Sequence, residues 1–111
     1  MLKVGLISDT HGYLDPIIFE YFKDVDEIWH AGDIGSIDVL KKLREFKPTK
    51  VVFGNIDEPK IRYETDELLV FDTQGLKVLM IHIGATPPSY TPKLRKLIKI
   101  HSPNLFICGH T

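Results

Sequence analysis

A single cysteine, Cys108, stands among the 111 residues, so no disulfide can close within the chain. That scarcity fits a reducing compartment, and its place inside an apolar run marks Cys108 as a small buried core residue rather than a reactive thiol. Charge of one sign is lacking too. The formal net charge of −1 leaves no global positive field to gather nucleic acid or an anionic membrane. No apolar stretch reaches the roughly eighteen residues needed to span a bilayer. The first apolar run is short, holds Lys3 and leads into Asp9 with no small-residue cleavage site, so no secretory signal is expected. A cytoplasmic protein is the expectation. Repeats, low-complexity tracts and linkers are likewise missing, and the length suits one domain over 1–111 with a modest core.

What the chain does have is five apolar runs that each end on a metal-binding residue type. Leu2–Ser8 runs into Asp9, with His11 two residues on; Asp26–Gly32 runs into Asp33; Thr49–Gly54 into Asn55; Leu76–Ile81 into His82; and Asn104–Gly109 into His110. In α/β proteins ligands gather at the carboxyl ends of the strands, where strand-to-loop turns converge on one edge.

Between these runs the pattern alternates. Residues 2–8 read as a buried parallel strand. Asp15-Pro16 reads as an N-cap with proline at the first helical position, opening a helix with Ile17, Ile18, Tyr21 and Phe22 on its core face. A strand over 26–31 follows, then a helix capped by Ser36 that carries Val39, Leu40 and Leu43 inward and stops before Pro48. The third strand is 49–53. After a looser segment, Leu68–Phe71 and Leu76–Ile81 flank Asp72-Thr73-Gln74-Gly75 as a β-hairpin. Thr91-Pro92 opens a last helix with Leu94, Leu97 and Ile98 as an inner stripe and Lys93, Arg95, Lys96 and Lys99 as a solvated face. A strand over 104–108 ends the pattern. Strands alternating with helices argue for an α/β layered domain, with the candidate ligands meeting at one edge.

Each block alone is weak. Gly32-Asp33 and Gly54-Asn55 are common turn dipeptides, and a lone histidine at a strand end is usually hydrogen-bonded structure. In order and in place, all five together point to a metal site. Asp9 and His11 can reach one ion from one loop, and the Asp33 carboxylate can bridge two. Asn55 offers a neutral oxygen, and His82 and His110 offer nitrogen. Mixed nitrogen and oxygen ligation suits Mn²⁺, Fe²⁺, Ni²⁺ or Zn²⁺ better than Ca²⁺ or Mg²⁺. Two such ions about 3.5–4 Å apart can clamp a phosphate and lower the pKa of a bridging water, so that hydroxide exists near neutral pH. Gly12, Gly32, Gly54 and Gly109 permit tight turns and close backbone approach.

Read in order, Asp9-Thr10-His11, Gly32-Asp33, Gly54-Asn55-Ile56-Asp57, His82 and Gly109-His110-Thr111 resemble the calcineurin-like metallophosphoesterase superfamily. Ser8-Asp9-Thr10-His11-Gly12 and the short connections look most like its small single-domain prokaryotic phosphodiesterase branch. The resemblance covers essentially the whole chain and implies a layered α/β sandwich. It also implies a phosphodiesterase with two divalent transition metal ions, manganese first among them. Asp9, His11 and Asp33 would hold the first ion; Asp33, Asn55, His82 and His110 would hold the second. Asp33, Asn55 and His82 would carry the catalysis, and Asp57 would act behind them by orienting His11 or a water.

Three departures from the family pattern matter. Ile56 stands where the family often has a histidine that protonates the leaving group; a hydrocarbon cannot, which favours activated or diester substrates. His82 is followed by Ile83-Gly84 rather than directly by glycine, and Tyr90 with Pro87 and Pro88 lies in the loop beyond. The chain also stops inside the last block, before its closing histidine. The expectation is therefore a C-terminally incomplete domain with the closing strands of its second sheet missing. Exposed sheet edge and core surface would then invite self-association. His30 reads as a core-edge or supporting residue, Trp29 as core, and His101 as a helix-end charge. A catalytically silent protein-binding module on the same fold is the alternative reading, and a fragment without function a weaker third. Membrane association is not expected; the partner is a small phosphodiester or phosphomonoester whose identity the sequence does not encode.

Overall fold

A computed structural model describes residues 2–82 and 91–109. Its first half is a parallel sheet of β1 (Val4–Ile7), β2 (Glu27–His30) and β3 (Thr49–Val51), ordered β1-β2-β3. The second sheet joins β4 (Leu68–Thr73), β5 (Leu76–Ile81) and β6 (Leu105–Ile107). There β4 and β5 form the antiparallel hairpin, and β6 runs parallel to β5. The hairpin turn is tighter than the four residues expected: Gln74 and Gly75, at φ 51° and 79°, close a two-residue loop in the left-handed pair of conformations that suits strand twist.

Side-chain alternation sorts the core into three layers. Odd positions of β2 face the second sheet, so Trp29 and Ala31 pack with Val52, Val78, Met80 and Ile107 between the sheets. Trp29 sits edge-to-face on Phe71, with centroids 5.0 Å apart, and donates its indole N–H to Glu27. Ile28 and Val51 face the other way, onto α2 (Ile37–Phe46), which buries Val39, Leu40 and Leu43 as its spacing predicted. Ser36 caps α2 by accepting from the amides of Asp38 and Val39, and the helix ends two residues before Pro48. On the far side α4 (Pro92–His101), capped by Thr91, lays Leu94 against Leu79 and Ile81. The order helix, sheet, sheet, helix is the layered α/β sandwich that the sequence implied. No described helix is long and apolar enough to cross a membrane.

Some expectations need correction. The helix after Asp15-Pro16 is only α1 (Ile17–Tyr21), and Ile17 and Tyr21 point to solvent, 47% and 71% exposed. The core contribution here comes instead from Phe22, just after the helix, which packs against the cluster that includes Ile28 and Leu40 and lies against Gly5. The looser segment contains a further helix, α3 (Pro59–Glu64), with Pro59 in its first turn and Ile61 buried beside α2. Cys108 is half-buried at the end of β6 rather than enclosed in the core. Strands β1 and β6 are sheet edges, and their Leu6 and Leu105, which share the inter-sheet face with Trp29 and Ile107, are 54% and 41% exposed.

Candidate metal centre

The ends of β1 and β2 deliver two loops side by side, and the chain adopts costly backbone conformations to do it. Asp9, His11 and Asp33 all have positive φ, at 56°, 50° and 58°. For residues with a Cβ each such conformation costs on the order of 1–3 kcal/mol and persists only where surrounding contacts enforce it. Here a cross-loop ladder does so. Asp9 N–H donates to Gly32 O at 2.9 Å, His11 N–H to Asp33 O at 3.0 Å and Gly12 N–H to Ile34 O at 2.8 Å.

The strain brings the side chains together. One ligand atom each from Asp9, Asp33 and His82 lies within 4.8 Å of the others. His11 joins them, its Nε2 lying 3.7 Å from Asp9 Oδ1 and 3.8 Å from Asp33 Oδ2. Asp33 is buried; its Oδ1 accepts from Ile56 N–H at 3.1 Å, while its Oδ2 faces His82 Nε2 at 3.2 Å. His82 Nδ1 lies 2.7 Å from Ala31 O. A carbonyl can only accept, so Nδ1 carries the proton, and in the neutral ring Nε2 turns its lone pair toward Asp33. A buried carboxylate and an imidazole lone pair facing each other in this way are a donor pair that could hold a divalent cation. Asp9 Oδ2 is steadied by the Ser8 hydroxyl at 2.8 Å.

Backbone must approach this closely for the cluster to form. A Cβ on Gly54 would lie 2.0 Å from Asp33 Oδ1, and one on Gly109 2.7 Å from Ala31 O. Neither position tolerates a side chain without movement of the ligand loops.

Asp57 is buried and holds two loops rather than His11. Its Oδ2 accepts from Gly54 N–H at 2.8 Å and Ile34 N–H at 3.2 Å, and its Oδ1 from Gly35 N–H at 2.8 Å. The Gly54–Asp57 turn is thereby tied to the loop that carries Asp33. Asn55 rides on that turn, exposed, and lines the same hollow as His82. Ile56, the next residue, is 45% exposed. His110, the remaining expected ligand, lies outside the described residues, as do Ile83, Gly84, Pro87, Pro88 and Tyr90.

His30 underlies the site as a buried neutral group. Its Nδ1 accepts from Gly32 N–H at 3.1 Å, so Nε2 is the donor, and it meets Thr10 Oγ1 at 3.1 Å. Thr10 passes its own proton to Ile34 O at 2.9 Å. Burial lowers the His30 pKa to about 4, with the carboxylates of Asp57, Asp9 and Asp33 opposing only in part.

Next to the cluster lies a hollow of about 430 Å³ that sequence reasoning missed. Asn55, His82, Phe53, Ile81, Leu94 and Arg62 are among the residues that line it. No residue spacing announced it, because its lining comes from the segment after β3, from α3, β5 and α4, brought together only by folding.

Comparison with known proteins shows the family and the fold. A family model described as the calcineurin-like phosphoesterase superfamily domain matches residues 2–111. A Methanothermobacter thermautotrophicus protein named "Probable metallophosphoesterase" is 34% identical over 99% of this chain and 66% of its own length. A Methanocaldococcus jannaschii phosphodiesterase is 26% identical over 99% of this chain and 73% of its own. Among solved structures, Vacuolar Protein Sorting 29 from Cryptosporidium parvum superposes with a TM-score of 0.74 at 19% identity, over 99% of this chain and 65% of its own. The chain thus spans just under two thirds of the length of the first and third of these proteins.

Proposed function

The chain belongs to the calcineurin-like phosphoesterase superfamily, and from that premise we propose that it is a metal-dependent phosphodiesterase with a dinuclear centre. The observation that carries the reading is the convergence of Asp9, Asp33 and His82 within 4.8 Å, on loops held in strained conformations. The donor set suits divalent transition metals: two carboxylates, and imidazoles whose tautomer at His82 leaves Nε2 for a ligand. Asp9, His11 and Asp33 would hold one ion; Asp33, Asn55, His82 and His110 would hold the other, with manganese the first candidate. When bound, such ions supply Lewis acidity, polarising a phosphoryl oxygen and acidifying a water.

The chain's own residues do the rest. Asp33 is fixed between the Ile56 amide and His82, so it can serve both ions without changing rotamer. The Ala31 carbonyl keeps the His82 proton on Nδ1. Asp57 holds the Asn55 turn at its distance from Asp33 through backbone amides alone. Ile56 places hydrocarbon beside Asn55 in the chain and offers no proton to a departing alkoxide, which favours activated esters and diesters. Exposed Leu6 and Leu105 on the edge strands make association between copies part of the same proposal.

A silent binding module on the same fold would leave the Asp9–Asp33–His82 cluster and its strain without a task, and the likeness to Vacuolar Protein Sorting 29 concerns the fold alone. Hydrolysis of bis(p-nitrophenyl) phosphate with Mn²⁺ tests the choice. Turnover that stops with chelator and in Asp33→Ala is the expected result. A folded, manganese-loaded protein with no turnover would overturn the enzyme reading.

A further inference from the structure

We propose that the hollow beside the metal cluster is a substituent pocket that takes a flat aromatic group, a nucleobase or aryl ring, carried by the phosphoester. This rests on the phosphoesterase reading for its substrate but on the hollow's own construction for its selectivity. Asn55 and His82 are among its lining residues, so a phosphoester held at the cluster would have its substituent next to a hollow that Phe53, Ile81 and Leu94 also line. An apolar cavity of about 150 Å³ accepts benzene, so about 430 Å³ has room for a ring and its linker.

Arg62 supplies the selectivity for a flat group. Its guanidinium lies over the Phe53 ring, 4.8 Å from the centroid. Its plane is pinned from the edge: Nε donates to Asp57 O at 2.8 Å and Nη2 to Asn55 O at 3.4 Å. Both acceptors belong to the turn that Asp57 ties to Asp33, so the plane is set relative to the cluster. A guanidinium held by carbonyls at its edge and by an aromatic ring on one face presents its other face for stacking, at little further entropy cost. Lys93, which also lines the hollow, pairs with Glu67, so that neighbouring cation is already matched by a carboxylate.

The test separates the pocket from the reaction. Binding of phenylphosphonate and of methylphosphonate to the manganese-supplied protein is compared by calorimetry; the two share the anionic head and differ only in the substituent. Phenylphosphonate is expected to bind at least tenfold more tightly, and the preference should fall to threefold or less in both Arg62→Ala and Arg62→Lys. Arg62 is exposed, so both variants should fold, which circular dichroism checks. Equal affinities in the unaltered protein, no binding of either, or a preference kept by Arg62→Lys would each overturn the pocket. Lysine keeps charge without a plane, and rescue by it would mean simple attraction to the anion. Turnover of bis(p-nitrophenyl) phosphate with no aromatic preference would sink the pocket and spare the enzyme. Aromatic preference without turnover would do the reverse.

Discussion

Asp33 and His82, both almost fully buried, face each other with Oδ2 and Nε2 3.2 Å apart, one from the loop after β2 and the other from the end of β5. The contact joins the two sheets at the edge where the ligand loops converge. Each partner is anchored from behind, Asp33 by the Ile56 amide and His82 by the Ala31 carbonyl. The proposed reading puts a cation between these two groups, and several consequences can be measured.

Metal should stabilise the fold as well as serve the reaction. At a Mn²⁺ concentration one hundred times the dissociation constant, linkage contributes about 2.7 kcal/mol. For a domain of this size that is a rise in Tm of about 10 °C over the chelated protein. Differential scanning calorimetry with and without chelator reads it, and Asp33→Asn should erase most of the difference.

Gly54→Ala should keep the fold and lose the site. The new Cβ would meet Asp33 Oδ1 at 2.0 Å, and only displacement of the ligand or of the Gly54 turn relieves that. Manganese affinity, followed by calorimetry, is expected to fall at least a hundredfold while the far-ultraviolet circular dichroism is unchanged.

Asp57→Ala removes one carboxylate and leaves three amides, those of Ile34, Gly35 and Gly54, without their acceptor. Hydrogen bonds to a charged group contribute about 1.5–3 kcal/mol each, and stranded buried donors add to the loss. Urea unfolding should show a destabilisation of about 3–5 kcal/mol. Asp57→Asn, which keeps one acceptor oxygen, should lose less.

His30 makes stability depend on pH. Its folded pKa of about 4 lies below the ordinary 6.5, so between these values the unfolded chain takes up a proton that the folded one refuses. The stabilisation is whole above about pH 6.5, declines as pH falls toward 4, and is spent below that. Its size is about 3 kcal/mol. Urea unfolding in chelator across that range should show the slope in the unaltered protein, and His30→Gln should flatten it.

Ile56→His places a proton donor at an exposed position next to Asn55. A positioned acid of this kind contributes about a hundredfold or more. Turnover should rise for esters with alkyl leaving groups and change little for p-nitrophenyl esters, as rates on paired substrates would show.

The candidate ligands could be located from sequence because strand and site share one signal. A buried strand needs a continuous apolar run, and a ligand loop needs a polar residue directly after it, so Asp9, Asp33 and His82 stand out along the chain. Ser36 and Thr91, with Pro92, marked helix starts for the same local reason: the cap and its amides lie within a few residues of each other. Other features depend on partners distant in the chain. The left-handed φ of Asp9, His11 and Asp33 is enforced by a ladder between two loops, and no residue type among the three favours it strongly enough to be read. Asp57 could be read as a supporting carboxylate, but its partners, the Ile34 and Gly35 amides, came to it only through folding. The short α3 lacked the length for a periodic signal, and Ile61 alone buries it. Arg62 acquired its plane only when Phe53 and the carbonyls of Asn55 and Asp57 met around it. The sequence by itself determined which residue types end each strand, because hydrophobic burial is written locally. Only the tertiary structure decided the distances, tautomers and pocket walls, because those arise from contacts between segments far apart in the chain.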